Sequence, residues 1–237
     1  MLSLLPLYLL GFLPSFVWLL FYLRKDAHPE SNRMILKIFF LGMMVAFLAI
    51  FLEKGFSFLI SFLKTPETLN SVLVIFLGGA LIEEYLKYTV VRLGVYGKEE
   101  LDEVFDLLLY MIISALGFAS LENILVLQKY HPFLTVGEAL ETIAWRFVSA
   151  TFLHALCSAL LGYFLALSFF HLEKRKLFFI VGLFLATTLH GGYNFSIMEI
   201  EGWAKIILPI VIIIGLAIFV SWAIKKVKKL KSICEVP

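Results

Sequence analysis

The feature that most constrains this chain is a series of apolar runs, each about as long as a bilayer is thick. A membrane-spanning helix needs roughly 20 mostly apolar residues at about 1.5 Å rise each. The chain offers seven such runs, at about 3–23, 34–52, 70–92, 107–128, 147–168, 177–197 and 203–224. In lipid a backbone must satisfy its own polar groups, so runs of this kind fold as helices. They are continuous rather than alternating, which argues against a barrel. Composition agrees: 61% of the residues are hydrophobic and 16% charged, with a mean hydropathy of +0.96. That excludes a water-soluble globule and a disordered chain. The expected fold is therefore all-α: a single polytopic domain over residues 1–237, multi-pass in the cell membrane. The opening run has no basic leader and no small-residue cleavage site, and reads as a retained helix. Residues 55–63 are too short to span; they extend the second helix or lie at the interface, and residues 132–143 also read as interfacial. No internal repeat is visible. A net charge of +2 gives no basis for nucleic-acid binding, and Cys157 and Cys234 build no disulfide framework.

The distribution of basic residues predicts an orientation. Arg24, Lys25, Arg33, Lys37, Arg92, Lys98, Lys174, Arg175 and Lys176 fall on the first, third and fifth connections. Lys225, Lys226, Lys228, Lys229 and Lys231 crowd a basic tail over 225–237, whereas the alternate connections hold only Lys54, Lys64, Lys129 and Lys205. The positive-inside rule then places the N-terminus outside and the C-terminus in the cytoplasm.

A small set of polar residues stays within the runs. Glu83, Glu84 and Lys87 lie in the third, Glu122 and Asn123 in the fourth, His154 and Ser158 in the fifth, and His190 and Asn194 in the sixth. Arg146 sits at the outer start of the fifth run and Asp106 at the inner edge of the fourth. An ionised side chain at mid-membrane costs at least about 2.5–3.5 kcal/mol, so such residues are functional candidates by default. Counted from the cytoplasmic edge, Glu83, His154, His190 and Glu122 come out at roughly 12, 18, 20 and 22 Å, one layer carried by four helices. Glu83 and Lys87 are four apart and share a face, while Glu84 lies about 100° round the helix, so one carboxylate can face a site while the other serves a neighbouring helix. These groups also suit a structural ion-pair cluster, with Glu122 paired to Arg146 or Lys87. Two imidazoles and a carboxylate at one depth make a zinc set with a position left for water, and a second carboxylate supplies a base. No HExxH, Gly-x-Ser-x-Gly or P-loop motif occurs. Ser158 shares its helix with His154, and its hydroxyl can bond a backbone carbonyl one turn back.

In order along the chain stand Glu83-Glu84-x-x-Lys87, Gly117-Phe118-Ala119-x-x-Glu122-Asn123, His154 with Ser158, and His190-x-x-Tyr193-Asn194. Phe105-Asp106 and Tyr110 precede the Glu122 motif. This ordered set, from about 80 to 196, resembles the PrsW family of intramembrane metalloproteases, distantly similar to the CAAX prenyl-protease and bacteriocin-processing group. Lys87 in place of an arginine, and Glu122 in place of a histidine, fit PrsW better than the prenyl-protease branch. The resemblance implies a metal-dependent peptidase acting on membrane-anchored proteins, with its core at about 70–197. It implies Glu122, His154 and His190 as ligands of zinc or another divalent metal, and Glu83 as general base with Glu84 as partner or alternative. Lys87 then tunes the glutamate pair and Asn194 polarises the scissile carbonyl, with Asn123, Arg146 and Ser158 in support. The implied substrate is a single-pass regulator such as an anti-sigma factor, cut in site-1 fashion near the extracytoplasmic face. A proton-coupled transporter and a non-enzymatic scaffold on the same fold are the alternatives to which intramembrane charge also points.

Overall fold

The computed structural model describes residues 4–131 and 135–230, and every regular element among them is helical. Eight rods follow one another: α1 (Leu4–Leu23), α2 (Asn32–Ser61), α3 (Glu67–Gly94), α4 (Val104–Tyr130), α5 (Val136–Val148), α6 (Ala150–Phe170), α7 (Arg175–Met198) and α8 (Ala204–Val227). Six segments are long and apolar enough to cross a membrane, and the Tyr8–Leu23 part of α1 adds a shorter apolar helix. Leu, Ile and Phe side chains such as Phe40, Phe51, Leu93, Phe184 and Ile218 stand exposed around the bundle. Lipid tails solvate that surface without cost, whereas water would not. The chain is a multi-pass membrane protein.

Three boundaries differ in detail from those read off the runs. Residues 55–61 continue α2 as one helix, which settles their role as an extension. The described part of the interfacial segment is a separate helix, α5, buried at Ala139 and Ile143 and exposed at Leu140 and Trp145; residues 132–134 lie outside the described set. The chain breaks at Ser149 (φ −118°, ψ −97°), so Arg146 belongs to the last turn of α5 and does not open the helix carrying His154.

Helix α4 is the central post, buried without interruption from Val104 to Ser120. Two glycines let α2 press against it. A methyl group on Gly42 would run into the Ser114 carbonyl oxygen, and one on Gly117 would run into that of Phe39. Small residues replace side-chain bulk with backbone contact, the ordinary way helices approach closely in lipid. In α3 the stretch Leu73–Leu81 is wound as a π-helix, ending just before Glu83. Its wider turn changes the rotational phase of the α-helical segment after it, and such turns collect at functional sites.

At one end of the bundle, the 24–31 connection is pinned to α4. Tyr110 donates to Glu30, His28 meets Glu103, and Glu103 and Asp106 form a capping box on the first turn of α4. Burial, with Asp26 and Asp102 nearby, raises the Glu30 carboxyl to about 7 against the Tyr110 hydrogen bond. The folded protein thus holds a proton that the unfolded chain releases near 4.5. The stabilising contribution is complete below that value and is lost as pH rises through about 7. Thermal unfolding of purified protein should show a falling midpoint from about pH 5 to about pH 8, flattened in Glu30→Gln. An identical slope in both proteins would exclude Glu30 as its source.

Candidate metal centre

Four helices meet at the polar layer. Helix α3 delivers Glu83, Glu84 and Lys87 from its first α-helical turns after the π stretch; all three are buried. The Lys87 ammonium donates to Glu83 Oε2 at 3.2 Å, to Glu84 Oε1 at 2.9 Å and to His154 Nδ1 at 2.8 Å. It also lies 4.3 Å from the Phe118 ring centroid. Three acceptors and a π face are what a desolvated ammonium requires.

Those contacts assign both imidazole tautomers. An ammonium has no lone pair, so His154 Nδ1 must accept and its Nε2–H donates to Glu122 Oε2, 2.7 Å away. His190 Nδ1 lies 3.0 Å from Glu84 Oε1 and donates there, leaving Nε2 with its lone pair. Both of these nitrogens lie near Glu83: His154 Nδ1 is 3.7 Å and His190 Nε2 3.8 Å from Glu83 Oε2. One donor atom from each of Glu83, His154 and His190 lies within 4.8 Å of the others. Tetrahedral zinc with bonds of about 2.0–2.1 Å places its ligands about 3.3–3.5 Å apart. The group therefore fits a divalent ion after a modest contraction. Each histidine has a carboxylate behind it, the arrangement that fixes ring orientation at metal sites. An ion on His154 Nδ1 would take over the position that Lys87 holds, leaving the ammonium its two carboxylates.

The carboxylate completing this group is Glu83. Glu122, expected beside the two histidines, reaches His154 from the opposite edge of the ring and is also 3.5 Å from Arg146 Nη2. Sequence spacing gave depth and could not tell which edge of the imidazole each carboxylate would meet. Of the two adjacent glutamates, Glu84 is the one that serves neighbouring helices, accepting from Ser158 on α6 at 2.7 Å and from His190 on α7. Ser158 thus bonds a carboxylate, not a carbonyl one turn back. Asn123 is fully buried and joins three further elements: it donates to the Gly11 carbonyl (3.2 Å) and to Thr151 (3.1 Å), and accepts from Arg146. Asn194, one turn beyond His190, makes no side-chain hydrogen bond among the described residues. Gly191 admits the Phe76 ring where a methyl group would stand 2.5 Å from it, bringing α7 against α3.

Glu53 was not anticipated. The second apolar run ends at residue 52, but α2 continues to Ser61 and carries Glu53 into a cleft with Glu122 and Arg146. The signal was present in Ala46, Ala49, Ile50 and Glu53, spaced for one helical face. A second convergence of carboxylates, Asp26, Glu30 and Asp106, lies at the pinned connection. It has no imidazole, and burial there raises the Glu30 carboxyl to about 7.

Comparison with known proteins shows which family the chain belongs to. The model of the PrsW family intramembrane metalloproteases matches residues 30–223. The chain belongs to that family. Protease PrsW of Bacillus subtilis (strain 168) is 29% identical over 215 residues, covering 90% of this chain and 89% of the relative. Protease PrsW of Geobacillus kaustophilus is also 29% identical over 215 residues, covering 89% and 85%, and that of Clostridioides difficile is 25% identical over 213 residues, covering 89% and 87%. No solved structure matches the chain. Family membership makes the protein an intramembrane metalloprotease, and the transporter and scaffold alternatives find no support. All four helices of the polar layer lie inside the matched region.

Proposed function

We propose that this PrsW-family protease hydrolyses a peptide bond of a single-pass membrane protein, near the extracytoplasmic face, at a metal centre formed by Glu83, His154 and His190. The supporting observation is the convergence of one carboxylate oxygen and two imidazole nitrogens, each imidazole backed by its own carboxylate. Glu83, Glu84 and Glu122 face Lys87 and Arg146, so the group carries one surplus negative charge that favours a divalent cation. Zinc, when bound, supplies Lewis-acid polarisation of the scissile carbonyl and an acidified water.

The remaining chemistry belongs to side chains. Glu122 is the carboxylate at the open side of the layer, with its side chain 31% exposed. It takes the proton from the attacking water and returns it to the leaving amine as the C–N bond breaks and a C–O bond forms. Arg146 and His154 hold Glu122 in place, and Asn123 holds Arg146. Asn194 has a free amide one turn from His190 and donates to the carbonyl oxygen as charge develops there. Glu84 and Lys87 position the histidines. The catalytic core spans about 70–197. The basic connections set the N-terminus outside and the C-terminal tail in the cytoplasm, so the outward ends of α2 and α4 face the cleavage site. An anti-sigma factor is the class of single-pass regulator that suits such a cut.

Metal removal tests this reading. Purified full-length protein in lipid vesicles should cut a single-pass reporter, lose at least about 95% of that activity after verified chelation, and regain it with one equivalent of zinc. Full activity in the metal-free protein would end the proposal.

A further inference from the structure

Helices α2 and α4 touch backbone to backbone at Gly42 and Gly117, then part to leave a cleft of about 200 Å³. One wall is the α2 face of Ala46, Ala49 and Glu53; the other is the α4 face of Phe118 and Glu122, with Arg146 of α5 beside it. The cleft borders the candidate metal centre directly. Glu122 bonds His154 at 2.7 Å, and the Phe118 ring packs on the His154 ring at 5.7 Å between centroids. An occupant therefore sits one side-chain layer from the ligands.

The charges in the cleft are not all balanced. Glu122 has Arg146 and His154 as partners. Arg146 is also committed to Asn123. Glu53 makes no hydrogen bond or ion pair among the described residues. A carboxylate inside a membrane-crossing helix is costly without a partner, and such residues mark substrate paths. The walls before it are apolar and small, which suits the methylene stem of a long side chain; the carboxylate suits a cationic head.

We infer that this cleft is a substrate subsite and that Glu53 is its specificity-determining carboxylate, receiving a lysine or arginine side chain of the membrane-anchored substrate next to the scissile bond. The inference rests on the protease reading above. A lysine or arginine in the outer turns of a single-pass helix can carry its head to the interface along an apolar stem, so lipid tolerates it there. The cleft has room for one long side chain, which makes the recognition local to one substrate position.

The test uses the full-length, metal-loaded protein in vesicles. The reporters are single-pass leucine–alanine helices of about 20 residues, carrying one lysine, glutamine or glutamate at successive positions in the outer turns. At the position that fills the cleft, the lysine reporter should be cut with a kcat/KM at least about tenfold above the glutamate reporter. Glu53→Gln should compress that ratio to about twofold or less, and Glu53→Lys should invert it. An unchanged ratio in both variants, or an equal loss on all three reporters, overturns the inference. Binding is read separately, by crosslinking uncut reporter to a photoreactive residue in place of Ile50 in a His190→Ala background. A lysine-over-glutamate preference in crosslinking, without cleavage by the wild-type protein, supports the cleft and overturns the protease reading of the site. Cleavage without charge preference in either assay keeps the protease and overturns the cleft. Neither crosslink nor cleavage overturns both.

Discussion

Alanine at Glu83, His154 or His190 is expected to abolish stoichiometric metal binding and to lower reporter cleavage at least about a thousandfold. Glu122→Gln should separate those two effects. Glutamine at 122 can still accept from His154 Nε2, so the ring keeps its orientation and the metal is retained, with affinity weakened by about tenfold to a hundredfold. It cannot take a proton, so kcat falls by about 10²–10⁴. Metal analysis alongside single-turnover cleavage distinguishes the assignments, because exchanging the roles of the two glutamates exchanges the outcomes. If Glu83→Gln keeps the metal and loses turnover while Glu122→Gln loses the metal, Glu122 is the ligand and Glu83 the base. The discriminating geometry is the position of each carboxylate around His154: Glu83 lies on the Nδ1 side at 3.7 Å and Glu122 on the Nε2 side at 2.7 Å.

Lys87→Met should be the most destabilising single change in the polar layer, at about 3–5 kcal/mol. Methionine has nearly the same length and leaves no cavity, so the cost is electrostatic. Glu83 and Glu84 lie 3.2 and 2.9 Å from the ammonium, and their side chains are almost wholly buried. Removing the cation strands two carboxylates in a medium that cannot solvate them. The check is thermal unfolding in detergent at low metal, followed by zinc titration. Because a divalent ion at Glu83 restores positive charge, zinc should raise the midpoint more in Lys87→Met than in the wild-type protein. Adding Glu84→Gln to Lys87→Met should recover part of the loss. An unchanged midpoint in the single variant would show that the ammonium does not hold the layer together.

Much of this protein was legible before its structure. The apolar runs identified the helices because a bilayer imposes one length and one way to satisfy backbone hydrogen bonds. The polar exceptions identified the layer, since Glu83, Glu84, Lys87, Glu122, His154 and His190 stand out in apolar runs where an unpaired charge is costly. Boundaries were read less well where hydropathy is a poor guide. The Ser149 break sits within a run apolar on both sides, so hydropathy assigns Arg146 to the start of the His154 helix whereas it ends α5. Glu53 falls outside the apolar run because a charge ends the run although the helix continues to Ser61. The π turn of α3 left no trace in composition, since its residues are as apolar as any α-helical stretch.

The sequence by itself determined the solvent, the helical class and the height of each polar group, because rise per residue converts position into depth. Only the tertiary structure decided azimuth: which edge of His154 meets Glu83 and which meets Glu122, and that Glu84 lies behind His190. Rotation about each helix axis is set by packing against its neighbours, here by the close contacts at Gly42, Gly117 and Gly191 and by the phase shift of the π turn. Depth selects which residues can meet, and azimuth decides which atoms of them do.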